Sequence, residues 1–456
     1  MRLPILALAL VFVTSVVRAQ TPPPNLVVLF CDDAGYGDFG FQGHPTIRTP
    51  RLDRMAAEGM RFTQFYSASP ACTASRYGLL TGRHPSRSGF SWVLYPKSRA
   101  HLDPKETTVA EVLRERGYAT AIFGKWHLGF PCEANGMSLE ALPLAHGFQE
   151  WCGLPYSNDM LRRGREDYPI LRLFEAPVPE GRTAFLPGYA AGETEPDQRT
   201  LTALYTERAL DFIRRSRKGP FFLYLPYAMP HVPLHPGEAF AGRSPRGAYG
   251  DVIEEIDDSV GRILDGLRAA GVEKNTLVLF TSDNGPWIIK GLEGGSAGLL
   301  RDGKGSTWEG GMRVPALARW PGVIAPGTRC DEIATALDLL PTAAELAGAK
   351  RPAATKLDGR SLVSVLRGRA GGPPAPPVFY GGPGRSAIQA VRRDRWKLHL
   401  KTNSQTGSDH GWPGVSREKP LLFDLDVDPG ETRSVAAEHP DLVRELLALV
   451  DAFEAR

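Results

Sequence analysis

Cys72 and Arg76 stand four residues apart within Pro70-Ala71-Cys72-Thr73-Ala74-Ser75-Arg76-Tyr77-Gly78-Leu79-Leu80-Thr81-Gly82-Arg83. In a helix that spacing puts both on one face, one turn apart. A cysteine at a helix start lies at the positive end of the helix dipole, and Arg76 adds a fixed cation. The plain alternative is a buried structural cysteine beside a surface arginine. Further polar residues recur just after apolar runs. Asp32-Asp33 follow residues 25–31, Lys125 and His127 follow 118–123, His231 follows 221–225, and Asp283-Asn284 follow 276–280. Lys304 comes later, in Arg301-Asp302-Gly303-Lys304-Gly305. Singly each has a dull reading: paired aspartates and Asp-Asn-Gly make turns, a histidine among prolines is structural, lysines are solvated. Their repeated placement after successive apolar runs is not explained by turns.

As a set they could do chemistry. Asp32, Asp33, Asp283 and Asn284 offer only oxygen, which suits Ca²⁺ or Mg²⁺ and not zinc. Lys125 and Lys304 can hold the oxygens of an anionic group. His127 and His231 can serve as base and acid near neutral pH. Arg76 can anchor a nucleophile and offset its developing charge.

The elements that must position these residues are legible as periodicities. Residues 25–31 (Asn-Leu-Val-Val-Leu-Phe-Cys) are a continuous apolar run, the pattern of a strand buried on both faces. Helices are predicted over 51–59, 107–116, 201–217 and 251–270, and strands over 118–123, 221–225 and 276–280. In the last helix Val252, Ile256, Val260, Ile263, Leu264 and Leu267 form one stripe, and Gly271 stops it. Alternating helices and buried strands imply an α/β fold: a large, mainly parallel mixed sheet flanked by helices. Ligands of such sheets bind outside the carboxyl ends of the strands, where the polar residues lie. Residues 368–377 are rich in Gly and Pro and read as a linker or surface crossing. Beyond them, strand-like pieces at 387–392, 396–400 and 421–425 and a helix at 442–453 predict a smaller antiparallel sheet plus helix. Residues 131–200 read as a long irregular insertion that shapes a substrate entrance.

A chain of 456 residues has room for a large core. A net charge of +3, with no basic block, excludes nucleic acid as a partner. Arg2, an apolar run over 3–17 and Ala19 before Gln20 form a secretory signal peptide cleaved after Ala19. That run is shorter than the roughly 20 residues of a spanning helix, and no later segment spans a membrane. The predicted division is 1–19 signal peptide, 20–367 catalytic domain and 368–456 C-terminal α+β subdomain, exported to the periplasm or beyond. Five cysteines do not make a disulfide scaffold; Cys132 and Cys152 could pair across a loop, which spacing leaves open.

Residues 72–83 resemble the signature of the type I sulfatases, Cys-x-(Pro or Ala)-x-Arg followed by Thr-Gly-Arg, with Ala74 in place of the commoner proline. Gly124-Lys125-Trp126-His127-Leu128-Gly129 and Ser282-Asp283-Asn284-Gly285 are similar to that family as well. The resemblance runs from about Asn25 to Asp428-Pro429-Gly430-Glu431. It is closest to arylsulfatase A, through Gly153-Leu154-Pro155-Tyr156-Ser157, and to N-acetylgalactosamine-6-sulfatase, through residues 246–258. It implies an alkaline phosphatase-like fold and hydrolysis of aryl or carbohydrate sulfate esters. It also implies that a formylglycine-generating or radical maturase oxidises Cys72 to formylglycine, whose hydrate attacks sulfur. His231, helped by Lys304, would then protonate the leaving group, and His127 would release sulfate. Asp32, Asp33, Asp283, Asn284 and the residue-72 oxygen would hold Ca²⁺ (or Mg²⁺), and Lys125, Lys304, His231 and Ser157 would contact the substrate. Two rivals stay open. A phosphatase or phosphodiesterase of the same superfamily would normally use Ser or Thr. A non-catalytic exported binding protein would keep Cys72 unmodified. A cysteine phosphatase is excluded, because it needs Arg six residues after Cys72, where Gly78 stands.

Overall fold

The computed structural model describes residues 22–455 except 91, 163–167, 180–182, 351–355, 370–373, 383–387 and 408–410. The predicted signal peptide and much of the Gly/Pro-rich crossing lie outside the described residues.

In chain order the strands of the large sheet are β1 (Asn25–Cys31), β2 (Met60–Tyr66), β3 (Ala119–Phe123), β4 (Glu150–Gly153), β5 (Phe174–Ala176), β6 (Ala184–Leu186), β7 (Tyr189–Ala191), β8 (Phe221–Pro226), β9 (Thr276–Ser282), β10 (Arg313–Arg319), β11 (Thr328–Cys330) and β12 (Ala334–Thr335). They lie in the order β11-β2-β10-β9-β1-β8-β3-β4-β5-β7-β6, with β12 also on β2. The centre, β9-β1-β8-β3-β4, is parallel; β10 pairs antiparallel with both β9 and β2, and β5, β6 and β7 continue antiparallel.

Burial on both faces explains the unbroken apolar central strands. In β1, Leu26, Val28 and Phe30 enter one core and Val27, Leu29 and Cys31 the other. Among the helices that cover these cores are α1 (Pro50–Glu58), α2 (Cys72–Thr81), α3 (Val109–Arg114), α4 (Leu201–Ser216) and α5 (Ala248–Ala269). The α5 stripe foreseen from sequence is wholly buried. Each such Val, Leu or Ile contributes about 1.5–3 kcal/mol of apolar burial. Thr108 caps α3 in a reciprocal box with Glu111, which is why the helix begins two residues later than predicted.

Short helices α6 (Glu309–Met312), α7 (Leu339–Leu346) and α8 (Val363–Leu366) follow. Strands β13 (Val378–Gly381), β14 (Ile388–Arg393), β15 (Trp396–His399) and β16 (Leu421–Asp424) then form a separate antiparallel sheet. Helix α9 (Pro440–Glu454) covers it through Leu446, Val450 and Phe453.

The structure corrects one reading and answers one question that spacing left open. Residues 131–200 are not simply an irregular insertion, because β4–β7 extend the main sheet. These strands have only three or four residues, too few for alternation to register. Cys132 and Cys152 are free thiols: Cys132 Sγ faces the Ser98 carbonyl at 3.5 Å and Cys152 Sγ faces Glu175 Oε1 at 3.5 Å. No helix among the described residues is long and apolar enough to cross a membrane.

Candidate active site

The parallel strands end together, and their carboxyl ends carry the candidate residues. Asp32 and Asp33 leave β1, Lys125 and His127 leave β3, His231 follows β8, and Asp283 and Asn284 leave β9. Cys72 opens α2, facing these ends. All the residues singled out above come together here, Ser157 and Lys304 included, and all are buried. Tight backbone contacts allow this. Gly124 has φ +138°, and a Cβ there would fall 1.9 Å from the Pro226 carbonyl oxygen, so only glycine lets the loop after β3 lie on β8. Asp33 and His127 also take positive φ, 69° and 57°, which re-aims their side chains.

Three carboxylates meet three cations. Arg76 Nη2 donates to Asp283 Oδ2 at 2.7 Å and lies 3.3 Å from Asp32 Oδ1, while Nη1 donates to the Lys125 carbonyl at 3.1 Å. Lys125 Nζ donates to Asp32 Oδ2 at 2.5 Å and to Ser157 Oγ at 3.1 Å. Lys304 Nζ donates to Asp33 Oδ2 at 2.8 Å. Burial would push the Asp32 carboxyl up, but Lys125 and Arg76 hold it well below the ordinary carboxylate range. Asp283 goes the other way: burial and then the Asp32 carboxylate push it up to about 7. Burial also pushes the Cys72 thiol up to about 11, against the pull of Lys125 and Lys304. An unmodified Cys72 is therefore a neutral thiol at physiological pH and a poor nucleophile.

The residues fit a hard cation. Ligand atoms of Asp32, Cys72 and Asp283 lie within 4.8 Å of one another. Asn284 Nδ2 donates to Asp33 Oδ1 at 2.8 Å and to the Gly285 carbonyl at 2.9 Å, which turns its Oδ1 the other way. Among the described residues no hydrogen bond reaches the buried Asp32 Oδ1 or Asn284 Oδ1. An Asp32 oxygen held only by its 3.3 Å ion pair with Arg76, and an Asn284 oxygen with no hydrogen bond, are what Ca²⁺ or Mg²⁺ would satisfy.

The two histidines are held differently. His127 Nε2 lies 2.9 Å from the Leu94 carbonyl, so that nitrogen carries the proton and donates it. The buried Nδ1 is then a bare acceptor with no hydrogen-bond partner among the described residues. Burial, and next the Lys125 ammonium, push His127 well below the usual histidine range. His231 Nδ1 donates to the Val232 carbonyl at 2.6 Å, and Nε2 faces Ser157 Oγ at 3.5 Å and Asp33 Oδ2 at 3.6 Å. Burial and then Lys304 lower it too. Asn158, from the corrected insertion, supports the His231 loop by donating to the carbonyls of His231 (3.3 Å) and Pro233 (3.1 Å).

Sequence reasoning missed two contributors. Thr73 Oγ1 accepts from the Leu94 N–H at 3.0 Å, so the residue beside Cys72 holds the residue whose own carbonyl orients His127. Trp287 lies with its ring centroid 5.2 Å from that of His231. Its position directly after Asn284-Gly285-Pro286 was the available signal.

A buried thiol, a carboxylate cluster, two lysines and two histidines at one sheet edge are the groups that hydrolysis of an oxyanion ester would require. Residues 24–349 match the Sulfatase family and residues 374–456 match the C-terminal region of aryl-sulfatase. The chain belongs to the sulfatase family, and it is a sulfuric ester hydrolase. It is 41% identical to Homo sapiens arylsulfatase A, covering 94% of this chain and 88% of that one. It is 40% identical to Mus musculus N-acetylgalactosamine-6-sulfatase, covering 93% and 84%. The solved sulfatase PsFucS1 from Pseudoalteromonas sp. superposes with a TM-score of 0.81 at 27% identity, covering 95% and 90%.

Proposed function

We propose that this chain is an exported, formylglycine-dependent sulfatase that holds Ca²⁺ or Mg²⁺ and hydrolyses sulfate esters of carbohydrates or phenols. The observation that carries the reading is Cys72 at the first turn of α2, buried among Asp32, Asp283 and three fixed cations. Burial pushes that thiol up to about 11, which keeps it neutral and weakly nucleophilic. Oxidation to formylglycine, by a maturase that reads Cys72-Thr73-Ala74-Ser75-Arg76, supplies a hydrated aldehyde as the nucleophile. The cation, held by Asp32, Asp33, Asp283, Asn284 and the residue-72 oxygen, supplies charge neutralisation for the sulfate.

The chain's own side chains do the rest. Lys125, Lys304 and Ser157 orient the sulfate oxygens, and Arg76 bridges the Asp32 and Asp283 carboxylates from the first turns of α2. His231 delivers a proton from Nε2 to the departing oxygen, aided by Lys304. His127 Nδ1 accepts a proton from the residue-72 oxygen once the alcohol has gone, and sulfate leaves. Residues 1–19 carry the export signal, and residues 20–367 and 368–456 are the catalytic and C-terminal parts. The family relatives support a sulfated carbohydrate or aryl substrate.

The test is the mass of the tryptic peptide containing residue 72 from protein made in its native host. The aldehyde in place of the thiol is expected, together with an N-terminus at Gln20. Active enzyme carrying only the thiol would overturn the reading.

A further inference from the structure

Trp287 and Lys290 stand between the proposed acid and solvent, and neither has a part in the chemistry above. Trp287 is half-buried. Its ring lies beside His231, and Lys304 Nζ is 4.4 Å from the ring centroid. The indole N–H donates to Gln405 Oε1 at 2.6 Å. Gln405 is itself fixed, because its loop closes on the Lys304 loop. Thr307 N donates to the Asn403 carbonyl at 3.3 Å, and Asn403 Nδ2 donates to the Gly305 carbonyl. Gly305 has φ +78°, and a Cβ there would meet Gln405 Nε2 at 2.5 Å. The indole is thus pinned at its edge by the C-terminal part of the chain.

Lys290 is exposed, with Nζ 4.3 Å from the same ring centroid. It makes no ion pair among the described residues. The ring holds the ammonium near the site by a cation–π contact while leaving its charge uncompensated. Ile289, 47% exposed, and Leu292, 82% exposed, continue the rim as apolar surface.

Beside His231, therefore, stand a half-buried indole and, over its ring, the exposed Lys290 ammonium. A sugar presents polarised C–H bonds on one ring face, which suit the negative face of indole. We infer that Trp287 and Lys290 form a leaving-group subsite for a sulfated sugar carrying a second anionic substituent, a carboxylate or a second sulfate. This rests on the sulfatase reading above, which supplies the position of the first sulfate.

Calorimetry on the full chain carrying Cys72→Ala separates the two, because binding does not need the aldehyde. Four probes are used: inorganic sulfate, N-acetylgalactosamine 6-sulfate, the same sugar linked to glucuronate, and the 4,6-disulfate. Both two-anion sugars should bind about five-fold more tightly than the one-anion sugar, and Lys290→Gln should erase that margin. Trp287→Ala should weaken all three sugars about ten-fold relative to inorganic sulfate. A margin for only one of the two-anion sugars assigns the second group as carboxylate or sulfate. Sugars that bind no better than inorganic sulfate, or a margin that survives Lys290→Gln, would overturn the subsite. If these differences hold but protein with the aldehyde at residue 72 turns over no sulfate ester, the subsite stands and the catalytic reading falls.

Discussion

His127 and His231 are both buried and both tied at one ring nitrogen to a backbone carbonyl, yet their free nitrogens face different partners. His231 Nε2 looks toward Ser157 and Asp33, and its ring lies beside Trp287. His127 Nδ1 faces no hydrogen-bonding group among the described residues. Loss of His231 should therefore slow alkyl sulfates with poor leaving groups by about 10²–10⁴-fold and a nitrophenyl sulfate far less. His127→Ala should release about one equivalent of phenol in a burst and then stall for every substrate, with no inorganic sulfate set free. Rapid-quench measurement of phenol and sulfate decides this; a burst from His231→Ala instead would exchange the roles. Thr73 belongs to the same argument. Thr73→Val removes the acceptor that holds the Leu94 N–H, so the Leu94 carbonyl positions the His127 ring less firmly. The rate should fall about ten-fold, and the acidic limb of the pH–rate profile should move; an unshifted profile would mean that Thr73 only packs. The motif residues were legible because their types state their chemistry. The Thr73–Leu94–His127 chain was not, because Leu94 has no functional side chain and joins the site only through its backbone.

Between elements, the junction of the two sheets is built on charge. Glu309, at the start of α6, is fully buried and accepts from Tyr66 Oη at 2.6 Å, Tyr380 Oη at 2.9 Å and Lys397 Nζ at 3.0 Å. Lys397, on β15, also lies 3.0 Å from Glu431, which meets His399 at 2.7 Å. Burial would push Glu309 up, but Lys397, Arg392 and Arg313 hold it at about 2 against an ordinary 4.5. Its folded value is depressed, so its stabilisation is complete above 4.5 and is lost as pH falls from 4.5 toward 2. That difference is worth about 3 kcal/mol. Lys397→Met should destabilise the protein by about 3 kcal/mol at pH 7, because two buried carboxylates lose their shared cation. In urea titrations the gap to wild type should narrow at pH 3. A constant gap would show that Lys397 acts by packing alone. This junction could not be read from sequence, since its residues come from both sides of the Gly/Pro-rich crossing. The central strands and long helices were readable, because burial imposes one period on each. Strand β10 was hidden by Pro315, which sits where its pairing with β2 slips between Val314 and Ala316, a bulge that tolerates proline.

At the scale of the whole molecule, the proposed cation would join strands far apart in the chain. Asp32 and Asp33 end β1, Asp283 and Asn284 end β9, and Cys72 begins a helix from a third stretch. The paired strands already fix these positions, so the site is preformed in the fold and absent from the unfolded chain. An ion that binds only the folded state stabilises it in proportion to the logarithm of its concentration, about 2.7 kcal/mol at a hundredfold excess over Kd. For a chain of this length that corresponds to about 3 °C in Tm. Chelation should lower Tm by that amount and abolish turnover. Ca²⁺ or Mg²⁺ should restore both, and Zn²⁺ should not, because the donors are all hard oxygens. Asp283→Ala should remove the response: its Tm should be the same with and without chelator, and elemental analysis should find no stoichiometric ion. This variant also leaves Arg76 without its 2.7 Å partner, so its absolute Tm is not the readout; the difference on chelation is. Stoichiometric zinc that survives Asp283→Ala, or a chelation shift that persists in it, would place the ion elsewhere in the molecule.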